Sequence, residues 1–332
     1  MGTFFGLDIG SSEIKALEAQ KTEQGFKLKH FASLAIQDQD PAEVIKAVIK
    51  EAGIKPTAEV NVALPESEVY TRIVTTPKLS ETELASSIQY EAEQYVPVAL
   101  SEVELFHQVL NTEGVVQDEK MMKVLLIAVT KERLKRLTDL LDKAQLIPKS
   151  LETELFSLQR VFADNVKTQL LLSINYKTTD MMIMTKGLPL FLHSMASGSM
   201  AMTRTLMNDL SLSEDQAEQY KRTYGIREDL LEGKVANLLS PLVDEVVTQV
   251  EKAVVYLSQQ GFNKRPEQLV LTGGGALLPG LSAYLVKKTN MEVVVGDPFQ
   301  KFVESEELKN LITSKNNPQL AAVTGLAIKE LV

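Results

Sequence analysis

The chain has 332 residues, 44% of them hydrophobic and 24% charged, with a net charge of −9 and no cysteine. That apolar content can fill two lobes, and the acidic balance argues against nucleic acid as a main partner. Disulfides, thiolate chemistry and Cys-ligated zinc or iron–sulfur sites are excluded.

The opening segment from Met1 to Asp8 has no basic stretch followed by a long apolar one, so no signal peptide is expected. No apolar run approaches the ~20 residues of a membrane span, which predicts a cytoplasmic protein. Thr3 to Ile9 reads as a strand entering the turn Gly10-Ser11-Ser12. Ile14 to Ala19 and Phe26 to Leu34 alternate, which makes three antiparallel strands in a row. Asp40, Pro41, Glu43 and Gly53 carry the cap, first-turn and stop signals of a helix. Val60 to Leu64 and Tyr70 to Thr75 are the next strands. Ser80 and Glu83 frame a second capping box, opening a helix that runs to Tyr95. Val103 to Leu110 and Met121 to Thr130 read as strands, and Lys131 to Gln145 and Thr153 to Val161 as helices. From Gln169 the opening pattern returns as Leu170 to Ile174, Asp180 to Thr185 and Leu188 to Ser194, with a hairpin signal at Lys186-Gly187. Helices follow over 199–210, 214–224 and 235–260. Then come a strand at Gln268 to Thr272, the run Gly273-Gly274-Gly275, a helix from Pro279, a strand at Glu292 to Val295, and a last helix over Gln319 to Leu331.

Each half therefore opens with three meandering strands and continues with alternating helices and strands. A dinucleotide-binding fold would place a helix directly after the first glycine turn. Here Ile14 to Ala19 alternates as a strand. The pattern is the half-unit of the actin-like fold.

Three places can carry chemistry. At the first hairpin, Gly10 lets backbone approach a phosphate, Ser11 and Ser12 add hydroxyls, Lys15 adds a positive charge, and Asp8 could hold Mg²⁺ through water. The bland alternative is a plain solvated hairpin. Gly273, Gly274 and Gly275 follow a buried strand and leave no Cβ between backbone and a flat ring or phosphate. Glu218 and Lys221 share a helix face, which by itself reads equally as a surface ion pair. The three histidines, His30, His107 and His193, sit apart on predicted strands. Residues 79–119 contain nine acidic and no basic residues, and 120–149 contain eight basic and three acidic ones. This is either two solvated faces or a surface that reads a charged partner.

These elements in this order resemble the actin-like ATPases over nearly the whole chain. Gly6 to Lys15 is similar to that superfamily's first phosphate motif, Gly273 to Ala276 to its adenosine motif, and Ala217 to Gly225 to a helix presenting Glu218 and Lys221 to adenosine. Pro318 to Ile328 resembles its C-terminal connecting helix. The stretch Ser87 to Val98, followed by Val103 to Leu110, resembles the PilM family of type IV pilus proteins, which are related to FtsA. The resemblance implies an α/β, actin-like ATPase (duplicated RNase H-like) fold of two lobes with an FtsA/PilM-type inserted subdomain. The implied divisions are 1–78, 148–168 and 319–332 for subdomain 1A, and 79–147 for the insert, 1C. Subdomain 2A takes 169–197 and 266–318, and 2B takes 198–265. It also implies ATP and Mg²⁺ as ligands. The implied partner is the N-terminal cytoplasmic tail of a PilN-like inner-membrane protein, captured near the insert and drawing the protein to that membrane. The charge pattern adds Glu91, Glu93, Glu102 and Glu104 as partner contacts. FtsA-like proteins carry a further C-terminal membrane-binding helix, and this chain ends at Val332, which favours PilM. The second phosphate motif departs from the superfamily. Ser173 stands where an Asp is expected and Asn175 where a Gly is, so weak or absent hydrolysis is expected. The competing functions are an active phosphotransferase and an FtsA-like polymer.

Overall fold

The computed structural model describes residues 4–36, 39–55, 58–110, 120–259, 261–262, 265–314 and 317–332. Strands β1 (Phe4–Ile9), β2 (Glu13–Thr22) and β3 (Gly25–Ala35) form the expected meander; Thr3 lies outside the described residues. Helix α1 (Pro41–Ala52) starts at Asp40, whose side chain accepts from Ala42 N–H, and stops at left-handed Gly53. Glu43 does not complete a capping box. It pairs instead with Lys46 one turn on. Strand β4 (Glu59–Leu64) then runs parallel to β1.

Strand β5 (Tyr70–Pro77) leaves this sheet. It pairs antiparallel with β7 (Met121–Thr130), and β7 also pairs with β6 (Val103–Leu110), giving a separate sheet in the order β5-β7-β6. Helix α2 (Glu81–Tyr95), opened by the expected Ser80–Glu83 capping box, covers one face through Leu84 and Ile88. The inserted sheet therefore begins at Tyr70, upstream of position 79. Helix α3 (Lys131–Lys143) packs Leu137 and Leu141 into the core of the first sheet rather than into the insert.

Residues Ile147–Thr153, expected to be a connection, form strand β8 on the far edge of the first sheet, whose order is β3-β2-β1-β4-β8. Pro148 is tolerated there because an edge strand leaves one side of its backbone unpaired. Helix α4 (Glu154–Phe162) follows directly.

The second half repeats the plan. Strands β9 (Thr168–Ile174), β10 (Thr179–Thr185) and β11 (Leu188–Met195) form a second meander. Lys186 and Gly187, at φ 49° and 76°, supply its tight hairpin. Helices α5 (Ser199–Leu210), α6 (Glu214–Tyr224) and α7 (Lys234–Gln259) come next. Strand β12 (Gln268–Thr272) runs parallel to β9, helix α8 (Leu281–Thr289) crosses over, and β13 (Glu292–Val295) completes the order β11-β10-β9-β12-β13. Helix α9 (Glu306–Ser314) was not expected. Helix α10 (Ala321–Ala327) is shorter than predicted, with 3-10 turns on either side.

Helices α4 and α10 lie against the inner faces of the two five-stranded sheets. Leu155, Leu158 and Phe162 of α4 join Leu171 and Met182 of the second sheet. Val323 and Ala327 of α10 join Leu17 and Leu28 of the first. The outer faces carry α1 and α3 on one side, and α7 and α8 on the other. Each fully buried Leu, Ile or Phe contributes about 1.5–3 kcal/mol, so this central helix pair fixes where the first turn of α4 sits. Among the described residues no helix is long and apolar enough to cross a membrane.

Candidate functional site

The first hairpin closes with Gly10 N–H donating to Glu13 O at 3.1 Å, and Ser11 and Ser12 at its tip are exposed. One strand pair back, register places Asp8 opposite Lys15, and Lys15 Nζ lies 3.1 Å from Asp8 Oδ2 and 3.6 Å from Glu13. Lys15 is buried. Burial works against its charge, but Asp8 and Glu13 outweigh that and hold its pKa above the ordinary lysine value.

The second hairpin uses its polar groups internally. Asn175 N–H donates to Thr178 O at 2.8 Å. Ser173 is buried, and its hydroxyl donates to Asn175 Oδ1 at 3.1 Å. Asn175 Nδ2 donates to Glu154 Oε1 and to Asp180 Oδ2, each at 3.1 Å. The two departures from the superfamily motif thus form one hydrogen-bonded unit.

That unit exposes three carboxyls which sequence reasoning did not single out. Glu154 opens α4 and is pushed well above the usual carboxylate range, first by burial and then by Asp180, Asp8 and Glu66. Asp180 is raised mainly by burial, against hydrogen bonds from Ser194, Thr178 and Asn175. Glu66 is raised to about 7, chiefly by burial. The available signal was Asp180, an acid in the otherwise apolar run Asp180 to Met184, where a charge must find partners.

The glycine loop borders the second hairpin. A Cβ on Gly273 would stand 2.6 Å from Ile174 O, and one on Gly275 would overlap the Ile174 side chain. These two glycines are therefore required by packing. Gly274 is different, since a Cβ there would meet only Gln319 Oε1 at 3.8 Å, and it leaves open space for a ligand. Helix α6 is joined to this loop by Ile226 N–H donating to Pro279 O at 2.9 Å. On it, Lys221 is buried and uses its three donors on Glu218, Thr203 and Ser199 O, at 2.6, 2.8 and 3.2 Å. Lys221 thus holds Glu218 in place. Burial favours protonating Glu218, but Lys221 and Arg222 outweigh it and lower its pKa. Ser199 N–H in turn donates to Asn175 O at 2.9 Å. The second hairpin, α5, α6 and the glycine loop therefore make one continuous wall.

A separate cleft of about 570 Å³ lies between the inserted sheet and β11. Arg72 and Tyr95 line it from the insert, with the Arg72 guanidinium 3.4 Å from the Tyr95 ring centre. Glu66 forms part of its floor, and Ser194, His193 and Tyr256 its far wall. Burial lowers the His193 pKa, against the pull of Asp180.

The four acids expected to meet a partner do not converge. Glu91 sits one turn before Tyr95 on α2 and shares its helix face. Glu93 and Glu102 are exposed elsewhere. Strand alternation puts Glu104 on the opposite face from cleft-lining Leu105, where it meets Lys131 at 3.9 Å. Glu113, Asp118 and Glu119 of the acidic stretch lie outside the described residues. Of the two strands expected to offer a free edge, β7 is central and paired on both sides, and only β6 is an edge. On α3, Lys131, Arg133, Lys135 and Arg136 are each paired with an acid, which weakens the expectation that this helix faces anionic lipid.

Two sheets of like topology, joined by a central helix pair and facing each other through hairpin tips, define an actin-like ATPase fold. Solved structures agree. The chain is similar to a chain of the PilM-PilN type IV pilus biogenesis complex, with TM-score 0.82 at 23% identity and 99% of each chain covered. It is similar to MreB5 of Spiroplasma citri bound to ADP, with TM-score 0.56 at 12% identity over 100% of this chain and 97% of that one. It is also similar to the ethanolamine utilization protein EutJ from Carboxydothermus hydrogenoformans, with TM-score 0.55 at 13% identity over 98% and 88%. The family model of the type IV pilus assembly protein PilM matches residues 6–331, and the chain belongs to that family.

Proposed function

We propose that this protein is a nucleotide-binding scaffold of type IV pilus assembly that docks the cytoplasmic tail of a PilN-like inner-membrane protein. It works in the cytoplasm and is recruited to the inner membrane through that partner. The observation that carries the nucleotide half is the set of raised carboxyls at the hairpins, Glu154 and Asp180, facing the Asp8–Lys15 pair. Buried acids held off their charged form favour a cation. Mg²⁺ suits such a place, because it is held through one or two carboxylates together with phosphate oxygens and water. Asp8 would hold it, the tip Gly10 to Ser12 would take phosphate, and Gly274 with Glu218 would take the adenosine, with Gly273, Gly275 and Lys221 shaping that wall. The two sheets with their helices act as the lobes of 1A and 2A, and the three-stranded sheet with α2 acts as the insert.

Turnover is a separate matter. Ser173 supplies a hydroxyl where the superfamily has a metal-orienting carboxylate, and Asn175 is already engaged with Glu154 and Asp180. Steady-state phosphate release should fall below the ~1–10³ per second usual for enzymes. The double change Ser173→Asp with Asn175→Gly should raise it. A wild-type rate inside that range would refute the scaffold reading.

The partner half rests on the cleft beside the insert and on the similarity to a PilM chain solved with PilN. An inner-membrane protein's cytoplasmic tail carries Lys or Arg by the positive-inside rule, and acids at the insert would speed its encounter. A synthetic tail peptide should bind in fluorescence anisotropy and weaken as salt rises. Charge reversal at Glu91, Glu93, Glu102 and Glu104 should weaken it more than reversal at Glu228 and Asp229. Equal losses from both sets, or indifference to salt, would leave the acids as solvated surface; absence of binding would remove the docking role.

A further inference from the structure

The cleft and the acidic site are joined by hydrogen bonds. Ser194 lines the cleft from β11, and its hydroxyl donates to Asp180 Oδ1 at 2.5 Å. The other oxygen of Asp180 accepts from Thr178 at 2.8 Å and from Asn175 Nδ2 at 3.1 Å. The same Asn175 nitrogen donates to Glu154 Oε1. A side-chain amide has two N–H groups, so Asn175 uses one on each carboxyl. Its oxygen is fixed by Ser173, which sets the orientation of the amide.

A second link starts from the same helix end. Leu155 N–H, next along α4, donates to Glu66 Oε1 at 3.1 Å, and Glu66 lies in the cleft floor. The first turn of α4 is therefore tied to both sides of the cleft. One tie runs through Glu66 to the segment leading into β5, and the other through Asn175 and Asp180 to β11.

Two features give these ties consequences beyond local packing. Ser173 and Asp180 are buried, so water does not compete for their bonds and the network is stiff. The Asn175 bond also joins a helix leaving the first sheet to a hairpin of the second. Any relative movement of the two halves must stretch it or carry Asp180 and Ser194 along. Strand β11 packs against β5 across the cleft, so the same movement changes the cleft's width.

We propose that Asn175 couples the site between the hairpins to the cleft, so that filling the nucleotide site narrows the cleft. The inference rests on the nucleotide reading above. A ligand held by both lobes draws them together, as in other hinge closures. Through Asn175 that closure is delivered to Asp180 and then to Ser194. The coupling is reciprocal, so an occupant of the cleft tightens nucleotide binding by the same factor, which for allosteric pairs is about 5–150-fold.

The chain has no cysteine, which permits a direct test. Ser67 is exposed and lines the cleft, so Ser67→Cys gives a single thiol whose rate of maleimide labelling reports access. Saturating Mg–ATP, with binding checked by calorimetry, should slow labelling about fivefold or more. Adding Asn175→Ala, or in a separate chain Ser194→Ala, should bring the ratio to near unity; the second variant serves if the first does not fold. Undiminished slowing in a folded, nucleotide-binding variant would overturn the coupling role. So would labelling of the Ser67→Cys chain that ignores bound nucleotide. If calorimetry finds no nucleotide bound at all, the nucleotide reading and the coupling fall together.

Discussion

Glu66→Gln should raise the melting temperature at pH 8 and leave it nearly unchanged at pH 4. Glu66 is buried, with Asp180 and Glu154 as neighbouring acids and only the Thr71 and Thr153 hydroxyls and the Leu155 N–H to favour its charge. Burial raises its pKa from an ordinary 4.5 to about 7. The unfolded chain gives up this proton near 4.5, whereas the folded chain keeps it to about 7. The folded state therefore binds more protons across that window. The stability this provides is complete below 4.5 and is lost as pH rises through about 7. By pH 8 the loss is on the order of 3 kcal/mol. Gln is neutral at every pH and keeps an acceptor for Leu155 N–H, so it removes the penalty without opening the cap of α4. The gain at pH 8 should be roughly 4–8 °C. Scanning calorimetry at pH 4, 6 and 8 measures it. A variant less stable than wild type at pH 8 would mean that the ionised carboxylate is well served in the fold.

The comparison of sequence with structure turns on which signals are local. Both meanders were legible because Gly10, Gly187 and the alternation around them specify hairpins within a few residues. The capping box at Ser80 and Glu83 likewise fixed the start of α2. Strand β8 was missed because Pro148, Lys149 and Glu152 give an edge strand the composition of a loop. Strand β5 was read as a strand but assigned to the wrong sheet, since its partner β7 is chosen by packing some fifty residues away. The same limit applied at the site. Asp8, Lys15 and the glycine loop lie in contiguous motifs. Glu66, Glu154 and Asp180 are single acids on three separate elements, and only the fold brings them together. The role of Lys221 was half visible, because helix spacing pairs it with Glu218. That its donors are all used inside the protein depends on α5.

Removing Mg²⁺ should abolish most ATP affinity, and Asp8→Ala should reproduce much of that loss in the presence of Mg²⁺. The gap between the hairpins presents Asp8, Glu13, Glu154 and Asp180 toward a triphosphate. Lys15 is the cation placed among them, already held by Asp8 and Glu13. Two like unit charges 4 Å apart repel by about 4 kcal/mol at the effective dielectric of a protein surface. A bare triphosphate meeting several acids would thus lose more than its hydrogen bonds to Ser11, Ser12 and the hairpin backbone return. A divalent ion reverses the sign of the largest of these terms. By calorimetry, EDTA should weaken ATP by about 100-fold or more, equivalent to roughly 3 kcal/mol. Asp8→Ala should weaken it about 10-fold or more with Mg²⁺ present and have little effect in EDTA, where there is no ion for Asp8 to hold. Lys15 retains Glu13 as a partner in that variant, so a collapse of the hairpin is not expected, and circular dichroism would confirm it. Equal affinity with and without Mg²⁺ would show that the acids are neutral when nucleotide binds and that Asp8 serves only Lys15. No detectable binding at millimolar ATP would remove the nucleotide site itself.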